Sequence, residues 1–245
     1  MTSKKNSNKY LQTIKNLNQN TRGRAILFFL FYLIFFIVII GLIRASYTSN
    51  KNNDYKKTDI NEEYKLDGII NGNYHFTREE IINNSITNYV GDKSNKKEEG
   101  IMTFNNALYN YFIYDNINLL KINDKYEISG ELYKYNSITN DTNIAKILKN
   151  ATLISKTEYE IGSSVYNYQI TTNTLDQIVN NTNIDIADIP NTITLYTNED
   201  DQVVKIIYDL TSYATYYLNT QTSVKITIEY SNFGEIEDLK VPENN

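Results

Sequence analysis

Apolar residues follow two rhythms along this chain, one unbroken and one alternating. From Ala25 to Ile43 every position is Ala, Ile, Leu, Phe, Tyr, Val or Gly, with Arg22 and Arg24 before the run and Arg44 after it. About 20 such residues at 1.5 Å rise cross a hydrocarbon core of roughly 30 Å, whereas a helix of a soluble core keeps one polar face. The run predicts a transmembrane helix. From about Tyr64 the period falls to two, the mark of strands with one buried face. Val224, Ile226, Ile228 and Tyr230 alternate with Lys225, Thr227, Glu229 and Ser231. Val204, Ile206, Tyr208 and Leu210 alternate with Val203, Lys205, Ile207 and Asp209. The run Ile193-Thr194-Leu195-Tyr196 precedes them, and Asn198-Glu199-Asp200-Asp201 between the two reads as a hairpin turn. Tyr166, Tyr168 and Ile170 form a further alternating strand, and Tyr213 to Leu218 is another β-prone run.

Two segments carry a helical period. Within Asn143 to Ala151, residues Ile144, Ile147, Leu148 and Ala151 are spaced by three and four, with Asp141 or Thr142 as the cap. Thr174-Leu175-Asp176-Gln177 fits a capping box, and Leu175, Ile178 and Val179 supply the apolar side of a short helix. Thr77-Arg78-Glu79-Glu80 fits the same box. Its context, with Tyr74-His75-Phe76 leading in and Asn83-Asn84 interrupting, instead predicts strands at 74–82 and 86–92.

Charge sets the orientation. Lys4, Lys5, Lys9, Lys15, Arg22 and Arg24 precede the apolar run with no Asp or Glu among them, so the positive-inside bias places the N-terminus in the cytoplasm and the rest outside. The expected organisation is a basic cytoplasmic tail (1–24), a transmembrane helix (25–43), a polar linker (44–63) and an extracytoplasmic domain (64–245). A cleaved signal peptide is the competing reading. The run exceeds the usual ~7 to 15 residue signal core, however, and Ala45 to Ser49 lacks a small-x-small cleavage site. The absence of cysteine excludes lipid attachment at a cysteine, disulfides and thiolate metal sites. Of the 24 basic residues seven lie in the first 44 positions, which leaves 17 against 29 acidic residues beyond, a net charge of −12. Such a surface repels phosphate backbones and excludes nucleic acid as a partner. The abundance of Asn, Ile, Lys and Tyr reads as the codon bias of an AT-rich genome.

The order of elements resembles a known family. A Tyr-rich first hairpin ending in Tyr89-Val90-Gly91 leads through further strands to the helix around Ile144 to Leu148. Ser155-Lys156-Thr157, the strand Val165-Tyr166-Asn167-Tyr168 and the pair of strands about the acidic turn follow. Tyr230-Ser231-Asn232-Phe233-Gly234-Glu235 then precedes Val241-Pro242. This is similar to the LolA-like and LppX-like group of bacterial envelope proteins, over residues 64–245. The resemblance implies a mainly β (α+β) domain: a curved antiparallel half-barrel sheet with short helices on its concave side. It also implies an envelope protein that holds a lipid or lipoprotein in an apolar hollow. The membrane helix in place of a lipidated cysteine opposes a mobile carrier, because a fixed tether prevents transit between membranes.

Chemistry is sparse by comparison. His75 is the only histidine, and nothing beside it resembles a nucleophile elbow. Glu79 and Glu80 point to opposite faces of a strand, while Glu199, Asp200 and Asp201 sit in a turn, so neither group pairs for glycoside cleavage. Asp185 and Asp188 lack the regular spacing and Gly of a Ca²⁺ loop. Asn83, Asn140, Asn150 and Asn180 begin Asn-x-Ser/Thr triplets that a chain rich in these residues forms by chance. No cofactor and no enzyme activity are expected. The leading expectation is a membrane-anchored, non-enzymatic envelope protein that binds a lipid or other apolar ligand, lined by Tyr166, Tyr168, Ile206, Tyr208, Ile226 and Ile228. The alternative is an assembly module that binds an envelope protein partner with no small ligand. An apolar hollow left open by the helices would separate the first from the second.

Overall fold

Two-residue turns set the architecture. In the computed structural model, which describes residues 64–160, 162–181 and 186–242, α1 (Asp67–Ile70) leads into a meander of six strands. These are β1 (Tyr74–Ile82), β2 (Ser85–Ser94), β3 (Lys97–Phe104), β4 (Ala107–Tyr114), β5 (Ile117–Ile122) and β6 (Lys125–Ile128). Asn95-Lys96, Asn105-Asn106, Asp115-Asn116 and Asn123-Asp124 join β2 through β6, and both residues of each pair have positive φ. Turns of that kind match the right-handed twist of the strands they join, and Asn and Asp tolerate the left-handed region best among non-glycine residues. The abundant Asn thus has a structural use.

The second half supplies the helices and five more strands. Helices α2 (Asn136–Thr139) and α3 (Asp141–Asn150) are followed by β7 (Thr152–Glu160), β8 (Ser163–Thr171) and α4 (Thr172–Asn180). Next come β9 (Pro190–Thr197), β10 (Val203–Asp209), α5 (Thr211–Leu218) and β11 (Val224–Ser231). The eleven strands form one antiparallel sheet in the order β6-β5-β4-β3-β2-β1-β11-β10-β9-β8-β7. First and last strands pair at its middle, and the sheet is open because β6 and β7 stand at opposite ends of the order. The mainly β expectation with short helices therefore holds for the described residues.

One face of the sheet carries the core. Tyr89 and Tyr111 from one half, Tyr166, Leu195, Ile206 and Ile226 from the other, and Ile144, Ile147 and Leu148 of α3 belong to a single buried cluster. A second, smaller cluster is built on Phe112, Leu119 and Leu239, with Ile236 packed against it. Asn73 fastens the tail to which these last two belong: its Nδ2 donates to Ile236 O at 2.8 Å and its Oδ1 accepts from Ile236 N at 2.9 Å.

The strands expected at 74–82 and 86–92 are β1 and β2, turned by Asn83 at φ 54°. The acidic turn is also present, with Asn198 Oδ1 accepting from the amides of Asp200 and Gln202. Four expectations need correction. The run Tyr213 to Leu218 is helix α5 and not a strand: Asp209 Oδ1 and Asn191 Oδ1 accept from the amides of Thr211 and Tyr213, satisfying the helix start. Side-chain capping and burial of Tyr213 and Ala214 outweigh β propensity there. The α3 cap is Asn140 instead of Asp141 or Thr142; its Oδ1 accepts from Asn143 N at 2.9 Å, which frees the Asp141 carboxylate. Helix α4 is capped by Thr171, whose hydroxyl accepts from Thr174 N, so Thr174 lies in the first turn and not at the cap. Finally, an irregularity between Val203 and Lys205 breaks the alternation of β10 and buries Val203 on the face expected for Val204.

The expected basic tail, membrane helix and linker at 1–63, and Asp185 of the acidic loop, lie outside the described residues. Among the described residues no helix is long and apolar enough to cross a membrane.

Candidate functional site

Alternation along β1 points Tyr74, Phe76, Arg78 and Glu80 to the covered face, so an arginine and a glutamate enter the core at the same parity as two aromatics. A buried charge requires partners. Arg78 Nε and Nη2 donate to Glu80 Oε1 at 2.9 and 2.7 Å, and Nη2 also donates to Lys134 O and to Thr139 Oγ1 on α2. The guanidinium lies 4.3 Å from the centre of the Tyr133 ring. Glu80 Oε2 accepts from Lys134 N at 3.3 Å. The ion pair lies within β1, and its hydrogen bonds to Lys134 and Thr139 join the strand to the cover.

A second group lies on β2, β3 and β4. Gly91 and Gly100 face one another across β2 and β3, and a Cβ on either would meet the neighbouring backbone and come within 3.0 Å of the Tyr111 hydroxyl. The two glycines make room for that phenol. Tyr111 Oη donates to Glu98 Oε1 at 3.2 Å and lies 2.9 Å from Tyr133 Oη, and Tyr133 also donates to Glu98. Tyr89 Oη donates to Leu132 O at 2.7 Å. Lys93 Nζ donates to Asp141 Oδ2 at 2.7 Å, and the Tyr74 hydroxyl meets the same carboxylate at 2.8 Å. Between these groups is a cavity of about 40 Å³, floored by Phe76, Ile228 and Tyr230 and walled by Arg78, Lys93, Glu98 and Asp141. That volume holds only a few waters.

Burial governs the ionisation here. It pushes the Glu98 carboxyl above the ordinary range; Lys93 and the Tyr133 hydroxyl oppose the shift, and Asp141 reinforces it. Burial likewise raises Glu80 against the opposing charge of Arg78. For Lys93 burial alone would lower the pKa, and Asp141 and Glu98 reverse the sign. A carboxyl raised in the folded state binds its proton more tightly there than in the unfolded chain. Its stabilising contribution is complete below the ordinary carboxylate pKa and is lost as pH rises through the folded value. Melting temperature should therefore fall as pH rises above the ordinary carboxylate range through these two groups. Glu98→Gln should flatten that slope, and an unchanged slope in thermal melts of the variant would show that Glu98 does not titrate as described.

The six residues expected to line a hollow are all deeply buried. Tyr166 and Tyr168 lie on β8, Ile206 and Tyr208 on β10, and Ile226 and Ile228 on β11. Ile228 borders the cavity, while all six belong to the main core cluster. The Tyr208 hydroxyl has no hydrogen-bond partner among the described residues. The charged residues of the site were absent from the sequence-based set. Their signal was parity, since Arg78 and Glu80 fall on the same side of β1 as Tyr74 and Phe76. His75 lies outside the cavity and meets Asp92 across β1 and β2 at 2.7 Å.

No protein-family model matches the chain, and no curated protein sequence matches it. Among solved structures it is similar to the lipoprotein LppX of Mycobacterium tuberculosis, at 12% identity and a TM-score of 0.48 over 71% of this chain and 93% of that one. It is also similar to LprF from Mycobacterium bovis, at 12% identity and a TM-score of 0.42 over 73% of this chain and 94% of that one. These structural neighbours belong to the LppX-like group that the order of elements resembles.

Proposed function

We propose that this chain is a membrane-anchored, non-enzymatic envelope protein whose outward domain holds an amphipathic, lipid-like ligand between its sheet and helices α2 and α3. In this reading residues 1–24 are the cytoplasmic tail, Ala25 to Ile43 form the anchor, 44–63 form the linker and 64–245 form the extracytoplasmic domain. The observation that carries the ligand is the cavity, which joins an apolar floor (Phe76, Ile228, Tyr230) to a polar wall (Arg78, Lys93, Glu98, Asp141). Such a lining suits a molecule with an apolar body and a polar head. The helices leave only this small volume open and not the apolar hollow expected for the lipid reading, so a ligand of lipid size requires the α2–α3 cover to lift.

Mass spectrometry of organic extracts from the purified full chain tests this. An acyl-containing amphiphile should accompany the wild type and be depleted in a folded Ile228→Asn variant, in which a polar group enters the cavity floor. Both proteins carry the same anchor, so lipid held by the anchor cancels. Equal recovery of every amphiphile from the two would overturn the proposal.

A second reading, an assembly module, is favoured by the opposite face of the sheet. A trough of about 550 Å³ runs there past Thr77, Glu79, Val90, Lys205, Ile207 and Glu229. A protein partner seated in it would respond to reversal of Lys225 and Glu229, which leaves the covered face untouched.

A further inference from the structure

Both ends of the sheet carry charge, with Lys121, Asp124 and Lys125 about the β5–β6 turn and Asp188 before β9 at the same end as α5, but the stretch around α5 itself has none. At one end the chain enters through Lys65, whose amide donates to Asp201 O, beside the acidic turn at 198–201 and the Lys97–Asp238 pair joins β3 to the tail. At the other end lies α5. From Leu210 to Val224 the chain has no charged residue, in a protein where 22% of residues are charged. The hairpin at Asn83 abuts this stretch, its amide donating to Ser223 O and its side chain accepting from Ser223 N, and it too lies in an uncharged run from Ile81 to Gly91. Asp209 and Lys225 border the uncharged stretch and face each other in register across β10 and β11, so their charges offset.

On this end α5 buries Tyr213 and Ala214 and leaves Tyr216, Tyr217 and Leu218 exposed at 41%, 44% and 56%. Tyr217 packs on Tyr213 at 4.6 Å and on Tyr216 at 5.5 Å, so the exposed rings are braced by one another. Ile86, across the neighbouring turn, is 49% exposed. Tyrosine with its apolar body and polar tip, next to leucine and without charge, is the composition favoured at the boundary between headgroups and acyl chains.

We infer that α5 is a membrane-docking surface that seats Tyr216, Tyr217 and Leu218 in the interface of a lipid bilayer. This rests on the membrane-anchored reading, and chain length permits it. Strand β11 is eight residues long and spans about 26 Å, whereas the ~20 residues from Arg44 to Glu63 reach at most about 70 Å. A tether of that reach lets the end remote from chain entry return to the bilayer that holds the anchor. Because α5 and its flanking stretch carry no charge, their contact with lipid gains nothing from anionic headgroups and does not depend on salt.

The protein contains no Trp, so one introduced Trp reports alone. Full-length chain carrying Tyr217→Trp, or Tyr216→Trp as a second probe of the same surface, is reconstituted into phosphatidylcholine vesicles with brominated acyl chains. The control is Asp200→Trp in the acidic turn. Either α5 probe should be blue-shifted and quenched severalfold more than the control, equally at low and high salt, and adding Leu218→Asp should return the quenching to the control level. Quenching no greater than at position 200 would overturn the inference. So would a blue shift with no excess quenching by brominated lipid, since it would assign the surface to a second copy or another protein. Resistance of the same samples to alkaline carbonate reports the anchor separately. Carbonate-resistant but unquenched protein would refute docking alone, whereas quenched but extractable protein would refute the anchor alone.

Discussion

Replacing Arg78 with Met should destabilise the outer domain by about 3–5 kcal/mol, the cost of breaking a buried ion pair by removing one partner. The loss comes less from the missing attraction than from what remains. Glu80 would be left under α2 with only the Lys134 amide to bond it, and Thr139 and the Lys134 carbonyl would lose their donor. Removing both charges, as Arg78→Met with Glu80→Met, should cost less than Arg78→Met alone, because no uncompensated charge is then buried. Denaturant titration of the single and double variants decides this. A single variant within about 1 kcal/mol of wild type would mean that the pair is solvated and the cover open.

Ile228→Ala should cost about 2–5 kcal/mol, while Thr227→Ala, one residue earlier on the opposite face, should cost less than about 1 kcal/mol. Strand β11 sits at the middle of the sheet between β1 and β10, with Ile228 opposite Arg78 on one side and Ile206 on the other. At 4% exposure, on the floor of the small cavity, its truncation would enlarge that cavity. Unfolding measurements that gave equal losses at 227 and 228 would contradict the register, since a slip of one residue exchanges the faces.

Where periodicity and turn chemistry agreed, the fold was legible in the sequence. Strand β11 alternates without a break, and β1 was separable from a helix because Asn83-Asn84 has the backbone tolerance of a tight turn. Helix α5 was not legible. Tyr213, Thr215, Tyr216 and Tyr217 are β formers by propensity, and what makes them helical is Asn191, about twenty residues upstream on β9, accepting from the Tyr213 amide. A contact of that kind leaves no local pattern. The shift in β10 was hidden for a related reason, since an irregular register lets both Val203 and Ile206 face inward and defeats strict alternation.

Little of the candidate site was legible: of the six residues expected to line a hollow, Ile228 borders the cavity and the other five lie in the core. Apolar parity placed Ile226, Ile228 and Tyr208 on the covered face, but Arg78, Glu80, Lys93 and Glu98 resemble ordinary surface residues until their partners are known. Gly91 and Gly100 acquire meaning only as a facing pair that admits the Tyr111 phenol. The partners on the cover, Thr139 and Asp141, lie about 40 to 60 residues away along the chain. Only the folded sheet brings them together.

Photo-crosslinking with a diazirine-bearing fatty acid tests the central claim most directly, because it reads where an amphipathic chain resides. With the full-length protein in vesicles, peptide mapping should place adducts on the cavity floor and its cover, at Phe76, Ile228 and the segment from Tyr133 to Asp141. Adducts confined to the anchor or to α5, with the floor and cover unlabelled, would contradict a ligand site between sheet and helices.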